Sequence, residues 1–325
     1  MKSAITATAR YLPERIFTNA DMEKLVDTND EWIRTRTGIS ERRFVVPGQA
    51  TADMGTRVTQ QLLERSGYSP EEIDVIIVAT ITPDLLFPST AALIQNNLGA
   101  KNAWGFDLSG ACTGFLFALE TGAKLVESGK YSKVVVIGAD TMSSILNFED
   151  RNTCVLFGDG AGAVLLEPSL NQSGIIDAKL HLDGSGSKYL FMPAGGSLKP
   201  ASAETVANKE HYVQQDGKAV FKVAAKGMAD VSLEILERNN FNGSDVTLFI
   251  PHQANKRIID ITSKRCGFHE DQVVINIGKY GNTTAGTIPI GIDESVEKGK
   301  LRSGDLLLLA AFGAGYSWGS MLIRW

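Results

Sequence analysis

The chain has 325 residues, a formal net charge of −5 and a hydrophobic fraction of 43%, enough to form one large core or two ordinary ones. Its mild acidity, with a pI near 5.5, argues against a nucleic-acid-binding protein, because such proteins present a basic face to phosphates. The longest apolar run, residues 306–312, is too short to cross a bilayer and the N-terminus lacks a signal-peptide pattern, so we expect no membrane partner.

Apolar runs rich in Val, Ile and Leu alternate with helical patterns along the chain. In chain order, the predicted strands are 74–80, 133–138, 155–157 with 163–167, 246–250, 273–277, 305–311 and 320–324. Strands buried on both faces have this composition, so the pattern predicts an α/β fold with covered sheets. The glycine-rich stretch 157–162 precedes a strand, which predicts a tight hairpin rather than a dinucleotide loop. Residues 184–217 predict a long loop that covers the entrance to a site.

The chain also repeats itself. Residues 62–80 resemble 235–252, residues 125–140 resemble 295–311, and residues 157–167 resemble 312–324, in the same order in both halves. This order predicts two copies of one αβ unit joined near residue 170. The predicted halves are 1–170, which carries a candidate nucleophilic cysteine, and 171–325, which carries a candidate histidine and asparagine.

The repeat brings three polar residues into one predicted site. Aligning residues 127–130 with 297–300 sets an offset of 297 − 127 = 170, which pairs Cys112 with Asn282 because 112 + 170 = 282. Both residues stand at a small-residue turn that enters a helical pattern, and His252 follows a predicted strand. Equivalent helix N-termini of a pseudo-twofold duplication can converge on one cleft, so we expect Cys112, His252 and Asn282 to share it.

These three side chains are suited to acyl transfer. A helix N-terminus favours a thiolate at Cys112, while His252 can donate a hydrogen bond or move a proton. Asn282 offers an amide donor that stays neutral at any working pH. A thiolate beside two neutral donors fits acyl transfer followed by enolate stabilisation better than hydrolysis. Each residue alone also fits a structural interpretation, as a small buried side chain, a core or surface histidine and a turn residue.

The remaining cysteines and histidines receive no functional role. The cysteines at 112, 154 and 266 and the histidines at 181, 211, 252 and 269 lack the spacing of a disulfide framework or a metal site. Cys154 and Cys266 are interpreted as structural. We therefore expect a cytoplasmic enzyme with reduced thiols.

Several motifs together identify a family. The sequence closely resembles β-ketoacyl-[acyl carrier protein] synthase III of the thiolase superfamily through DEWIRTRTGISERR (30–43), FPST (87–90), SGACTGF (109–115), EDRNTCVLFGDGAGA (149–163), PHQANKRII (251–259), KYGNTTAGTIP (279–289) and AFGAGYSWG (311–319). The resemblance implies a thiolase-like, five-layered αβαβα fold of two duplicated halves and a homodimer. It calls for no metal and no organic cofactor.

The resemblance also implies a ping-pong condensation. Cys112 would take an acyl group from acetyl-CoA or another short acyl-CoA, and malonyl-ACP would then lose CO2. His252 and Asn282 would stabilise the enolate, and the product would be a 3-oxoacyl-ACP, the first condensation of type II fatty acid synthesis. The backbone N–H groups of Cys112 and Ala314 would form the oxyanion hole, although the family often has glycine in place of Ala314.

Binding residues follow from the same resemblance. Trp32 and Arg151 would sandwich the CoA adenine, and Arg36 would contact its phosphates. Phe87 would reach across the dimer into the partner's acyl pocket and favour acetyl over longer primers. A basic patch would dock the acidic acyl carrier protein; its residues are Lys222, Lys256 and Arg257.

The sequence also fits three further kinds of protein. A condensing enzyme of polyketide or other secondary metabolism would carry nearly identical residues. A hydroxymethylglutaryl-CoA synthase would need an acidic general base near Cys112, and the nearest acid after Cys112, Glu120, is poorly placed by helical period. A non-catalytic protein that binds CoA or acyl carriers would keep the fold but would not need the three polar residues.

Overall fold

The computed structural model describes residues 2–325 and contains thirteen strands and ten α-helices in that range. The strands are β1 Ser3–Tyr11, β2 Arg15–Thr18, β3 Glu41–Phe44, β4 Val75–Ala79, β5 Trp104–Leu108, β6 Val134–Asp140, β7 Gly160–Pro168, β8 Gly174–Leu182, β9 Leu190–Phe191, β10 Gln214–Gln215, β11 Leu248–Pro251, β12 Leu306–Gly313 and β13 Ser317–Arg324. The helices are α1 Asn19–Met22, α2 Asp30–Thr37, α3 Thr51–Ser66, α4 Thr90–Leu98, α5 Gly114–Glu127, α6 Ala203–Ala207, α7 Gly217–Arg238, α8 Lys256–Cys266, α9 Ile277–Tyr280 and α10 Thr287–Glu297. None of the helices within residues 2–325 has the length and apolar character needed to span a bilayer.

Two large sheets and three helical layers form the core of the molecule, and β2–β3 and β9–β10 form two small ribbons beside it. The first sheet has the strand order β1-β7-β6-β4-β5, and the second has the order β11-β12-β13-β8. Helices α5 and α10 lie between the sheets and share one apolar cluster with both of them, which includes Phe115, Leu119, Val134, Ile288, Ile292 and Leu307. Helices α3 and α4 cover the outer face of the first sheet, and α7 and α8 cover that of the second. The predicted αβαβα layer order is therefore present.

Burial on both faces explains the composition of the central strands. All five residues of β4 (VIIVA), all seven of β6 (VVVIGAD) and all eight of β12 (LLLLAAFG) are buried. Such strands are near-continuous apolar runs because helices pack on each side of the sheet. This is why the sequence pattern located β4, β6, β11 and β12 to within a few residues.

The two halves repeat with a constant offset of 173 near the site. In the first sheet Val75 pairs with Val134, and in the second Leu248 pairs with Leu307, so 248 − 75 = 307 − 134 = 173. The 3₁₀ turns Ala111–Thr113 and Thr284–Gly286, which precede α5 and α10, also differ by 173. The predicted duplication is confirmed, but the predicted offset of 170 holds only at the C-terminal ends of α5 and α10.

The counterpart of Cys112 was therefore predicted wrongly. Helix α10 has 11 residues and α5 has 14, so an alignment fixed at their C-terminal ends is displaced by three residues at their N-terminal ends. With the offset of 173, Cys112 corresponds to Ala285, because 112 + 173 = 285, and Asn282 corresponds to Ser109. Asn282 still lies at the equivalent turn, two residues before the equivalent 3₁₀ turn begins.

Several local predictions also need correction. Residues 155–157 form a turn rather than a strand; Val155 and Phe157 are apolar because they are buried in a side cluster, and Phe157 makes a single bridge to Asn282. The stretch 157–162 is therefore no hairpin, since β7 pairs with β1 and β6 instead. Residues 273–277 make one bridge and then enter α9. The predicted loop 184–217 contains the short β9–β10 ribbon and α6.

Candidate active site

One cavity of about 990 Å³ joins the two halves of the protein. Cys112, His252 and Asn282 all line it, as do Phe312 and Gly313 at the end of β12. Its other lining residues come from α2, the segment 152–157, the β9–β10 ribbon, and α7 and α8 with the residues that lead into them. The structure therefore brings the three predicted polar residues together.

Cys112 lies in the tight turn that enters α5. The turn begins after β5, and Ala111 has a φ of 47°, a left-handed conformation that points the next residue away from the strand direction. A Cβ on Gly110 would lie 2.8 Å from the Cα of Gly114, so the close turn requires glycine there. Cys112 is buried, and it stands in the 3₁₀ turn two residues before α5 begins.

His252 directly follows β11. Its backbone N–H donates to the carbonyl of Ala310 at 2.7 Å, which continues the parallel pairing of β11 with β12. The next residue, Gln253, donates its amide to the carbonyls of Pro251 and Val274 at 2.9 and 3.0 Å, and this holds the loop rigidly. His252 is only 2% exposed, and neither ring nitrogen has a hydrogen-bond partner within residues 2–325. The His252 ring therefore faces the cavity without an internal hydrogen bond among the described residues.

Asn282 is held by its backbone and by one end of its amide. Its N–H donates to the carbonyl of Leu156 at 2.9 Å, and its carbonyl accepts from the N–H of Gly158 at 3.0 Å. Its Oδ1 accepts from the N–H of Thr284 at 2.9 Å. Because the oxygen is engaged, the NH₂ group is the end of the amide left to face a ligand.

Burial makes both titratable groups of the site neutral. Desolvation and, secondarily, the charge of Asp140 raise the pKa of Cys112 to about 12, and the Asn282 side chain acts in the opposite direction. Burial also lowers the pKa of His252 to about 3. Burial therefore opposes the predicted preference for a thiolate at the N-terminal end of α5. A buried thiol in this state would have to lose its proton in order to act as a nucleophile.

The alkylation rate of Cys112 tests this protonation state. Below the thiol pKa the thiolate fraction rises tenfold per pH unit, so we expect iodoacetamide to react with Cys112 about tenfold faster for each pH unit between about pH 6 and pH 9. Mass spectrometry of the Cys112 peptide measures the rate, and the Cys112→Ser variant corrects for Cys154 and Cys266. A plateau below about pH 8 would show a thiolate already formed.

Gly313, which the sequence analysis did not predict, lies beside the backbone of Cys112. Ala314 follows β12 in a turn and is half-buried; Gly313 lines the cavity, whereas Ala314 is not one of its described lining residues. A Cβ on Gly313 would lie 2.9 Å from the backbone nitrogen of Cys112. Sequence reasoning missed Gly313, although a glycine at a strand end often marks the close approach of another backbone.

The predicted CoA-binding residues lie together at the cavity mouth. The guanidinium carbons of Arg36 and Arg151 lie 4.5 and 5.4 Å from the ring centroid of Trp32. Trp32 and Arg36 line the cavity, and Arg151 donates to the carbonyl of Asp27 at 3.1 Å. An aromatic ring flanked by two guanidinium groups suits a flat, negatively charged ligand.

The predicted carrier-docking residues lie on α7 and α8, two helices that help to line the cavity. Lys222 is exposed on α7, and Lys256 and Arg257 are exposed at the start of α8. The guanidinium carbon of Arg257 lies 4.8 Å from the ring centroid of Phe221, and Arg257 lines the cavity. Lys256 also pairs with Asp260 at 2.8 Å. Of the three residues, Arg257 therefore lies at the cavity, and Lys222 and Lys256 are exposed on the two helices that help to line it.

Phe87 lies apart from these residues. Its side chain is 85% exposed, next to Leu86 at 87%, and it is not one of the described residues that line the cavity of its own chain. Phe87 and Leu86 therefore form an exposed apolar patch.

Comparisons with known proteins agree on one family. The family model described as 3-oxoacyl-[acyl-carrier-protein (ACP)] synthase III matches residues 106–184, and its C-terminal model matches residues 236–325. A β-ketoacyl-[acyl-carrier-protein] synthase III of Chlorobaculum tepidum is 58% identical over 328 residues and covers 100% of both chains.

Solved structures extend this similarity to the fold. The 3-oxoacyl-[acyl-carrier-protein] synthase III of Aquifex aeolicus VF5 is 42% identical, with a TM-score of 0.92 over 99% of this chain and 100% of that one. The priming β-ketosynthase of the R1128 polyketide pathway is 34% identical, with a TM-score of 0.91 over 99% and 96%. These similarities confirm the predicted thiolase-like fold. The chain belongs to the β-ketoacyl-[acyl-carrier-protein] synthase III family of acyltransferases.

Proposed function

We propose that this protein condenses a short acyl-CoA, in the first place acetyl-CoA, with malonyl-ACP and releases CoA and CO2. The product is a 3-oxoacyl-ACP that starts type II fatty acid biosynthesis. The observation that supports this most is the single cavity lined by Cys112, His252 and Asn282, with both nitrogens of His252 free of partners within residues 2–325. Family membership adds the substrate class.

In the first half-reaction, Cys112 takes the acyl group. Its sulfur attacks the thioester carbonyl, neutral His252 accepts the thiol proton, and CoA departs as a thiol after taking a proton back. The carbonyl oxygen gains charge during the attack and is met by the N–H of Cys112, together with the predicted second donor at Ala314. The Cys112 thiol and the His252 imidazole are both neutral before the attack. The site therefore holds no separated charges until the proton moves.

In the second half-reaction, malonyl-ACP loses its carboxylate. The bond to the carboxylate breaks, CO2 departs, and the electron pair is delocalised onto the thioester oxygen as an enolate. His252 and the Asn282 NH₂ donate to that oxygen, and each preorganised donor contributes about 10²–10³-fold in rate. The carbanion attacks the acyl group on Cys112, a carbon–carbon bond forms, and the cysteine sulfur leaves and takes up a proton.

Binding uses the remaining predicted residues. We assign Trp32 and Arg151 to the adenine of CoA and Arg36 to its phosphates. Acyl carrier protein docks on Lys222, Lys256 and Arg257, whose charges chiefly accelerate association. In this proposal residues 1–170 supply the nucleophile, residues 171–325 supply His252 and Asn282, and two copies assemble as a homodimer in the cytoplasm.

Phe87 sets the primer length in this homodimer. We expect Phe87→Thr to raise kcat/KM for acyl-CoAs a few carbons longer than acetyl-CoA by about tenfold, because the ring no longer shortens the partner's acyl pocket. Competition between primers of different length, followed by mass spectrometry of the products, measures the preference. Leu86→Thr removes a similar exposed apolar side chain and serves as the control. An unchanged chain-length preference in Phe87→Thr would reject the assignment.

The decisive assay supplies purified protein with acetyl-CoA and malonyl-ACP. The proposal predicts equal amounts of 3-oxobutanoyl-ACP, CoA and CO2, and absence of all three products would reject it. A priming role in polyketide synthesis is the second candidate, because a polyketide priming enzyme is 34% identical in sequence and similar in fold. Faster turnover with a polyketide carrier protein than with the fatty-acid carrier would favour that role.

A hydroxymethylglutaryl-CoA synthase and a non-catalytic binding protein fit the site less well. Glu120 lies on α5 and pairs with Lys124 at 3.5 Å, and it is not among the described residues that line the cavity. It is therefore poorly placed to act as the general base that a hydroxymethylglutaryl-CoA synthase needs. A non-catalytic binding protein would have no reason to bury Cys112, His252 and Asn282 around one cavity.

A further inference from the structure

The ends of β6 and β12 are equivalent positions that carry very different residues. The offset of 173 pairs Asp140, the last residue of β6, with Gly313, the last residue of β12, because 140 + 173 = 313. The same offset pairs the 3₁₀ turn of Cys112 with the 3₁₀ turn of Ala285. Each strand end therefore faces the helix-entering turn of the other half.

Asp140 fills its position with a buried carboxylate. Its Oδ2 accepts from the N–H of Ala285 at 3.2 Å and from the hydroxyl of Thr284. Its Oδ1 accepts hydrogen bonds of 2.8–3.2 Å from the segment after β4, namely from Thr80 Oγ1, Ile81 N, Thr82 N and Thr82 Oγ1. Three of these partners are backbone N–H groups, so the pattern suits the ionised carboxylate although burial raises the pKa of Asp140.

Gly313 places no side chain at the equivalent position, where it lines the cavity. A Cβ there would lie 2.9 Å from the nitrogen of Cys112 and 3.1 Å from that of Thr113. In the second half, Oδ2 of Asp140 thus contacts the N–H of Ala285, the counterpart of the Cys112 N–H. One half carries an internal carboxylate at this position, and the other half has no side chain there and lines the cavity.

We propose that Asp140 is a positioning residue, whose carboxylate occupies the second-half counterpart of the oxyanion hole and thereby holds the Asn282 amide in place for condensation. The connection is short, because the N–H of Thr284 fixes Asn282 Oδ1 at 2.9 Å while the Thr284 hydroxyl and the Ala285 N–H are bound to Asp140. This inference rests on the function proposed above, in which Asn282 acts in the second half-reaction.

Asp140 has a second, opposite effect on Cys112. Among the described elements around the Cys112 turn, the charged group that acts on the sulfur is Asp140 at the end of β6. His252 faces the same cavity as a neutral imidazole. The negative charge disfavours the thiolate. Loss of this charge should make Cys112 more reactive while the Asn282 turn loosens, a combination that general destabilisation would not produce.

The test compares Asp140→Asn with two other variants. In Asp140→Asn, the amide oxygen can still accept hydrogen bonds from residues 80–82. The amide NH₂ group, however, would face the N–H of Ala285, which is also a donor. Thr284→Val loses the hydroxyl contact and keeps the charge of Asp140. The control is Asp159→Asn, since Asp159 is equally buried in the first half but accepts from Ser143 and Val45. Labelled acetyl-CoA measures acylation of Cys112, malonyl-ACP consumption by the pre-acylated protein measures condensation, and iodoacetamide measures thiol reactivity.

For Asp140→Asn we expect condensation to slow about tenfold or more, with acylation changed by no more than about threefold. We also expect its iodoacetamide profile to shift to lower pH. Thr284→Val should slow condensation without that pH shift, and it carries the test if Asp140→Asn does not fold.

The assignment would be overturned if Asp140→Asn slowed acylation and condensation equally and in proportion to its loss of Tm, which is the result expected for Asp159→Asn. An unchanged rate of condensation in Asp140→Asn would also overturn it. Failure of the wild-type protein to make any 3-oxoacyl-ACP would reject the proposed function instead. Alkylation and Tm need no substrate, so they would still report whether the charge of Asp140 acts on Cys112.

Discussion

Replacing Cys112 with serine is expected to reduce acyl transfer from acetyl-CoA by about 10⁴-fold or more, to the background of the assay. Serine has nearly the same size, so the turn before α5 and the folded state should persist. Its hydroxyl, however, is a far weaker nucleophile than a thiol, and the neutral, buried His252 is a weak base because burial lowers its pKa to about 3. Labelled acetyl-CoA and scintillation counting of the precipitated protein measure the loss.

Cys266→Ala is the matched control for this variant. Cys266 is also buried, but it ends α8 and its thiol lies 4.0 Å from the carbonyl of Ala229. We expect this variant to take up label at the wild-type rate. Full labelling of Cys112→Ser, or loss of labelling in Cys266→Ala alone, would assign the nucleophile elsewhere.

Gly313→Ala is expected to lower kcat/KM by about 10²-fold or more, because the new methyl group would lie against the backbone nitrogen of Cys112. The methyl carbon would stand 2.9 Å from that nitrogen and 3.1 Å from the Cys112 Cβ. These neighbours belong to a turn held by Thr113, whose hydroxyl donates to the carbonyl of Ser317 at 3.1 Å, so they have little freedom to move. Steady-state kinetics with acetyl-CoA and malonyl-ACP measure the effect.

Gly196→Ala provides the comparison for a glycine replacement. A Cβ on Gly196 would meet no atom within 4 Å among the described residues, so this variant should retain wild-type kinetics and Tm. If Gly313→Ala kept wild-type activity, the space beside the Cys112 N–H would have no role in the reaction.

The sequence located the site but not its protonation state or its complete outline. Cys112, His252 and Asn282 could be placed together because an internal repeat relates the two halves and because buried parallel strands have a strong apolar pattern. The offset was wrong by three residues at the turn itself, since α10 is shorter than α5. Repeats constrain the order of elements more firmly than the length of any one helix.

Tertiary packing explains what the sequence did not predict. The pKa of Cys112 depends on burial by elements distant in sequence, and this effect opposes that of the helix N-terminus. Residues 155–157 are apolar because they pack in a side cluster. A run of three apolar residues does not distinguish a buried turn from a strand. Gly313 is far from Cys112 along the chain, and only the folded structure brings them into contact.

The most direct measurement follows the acyl group on Cys112 through both half-reactions. Purified protein is mixed with acetyl-CoA, freed of excess ligand and then mixed with malonyl-ACP, and the Cys112 peptide and the carrier protein are weighed by mass spectrometry at each stage. We predict one acetyl group on Cys112 after the first step, and its quantitative transfer to 3-oxobutanoyl-ACP after the second. An acetyl group on another residue, or one that malonyl-ACP leaves in place, would contradict the account.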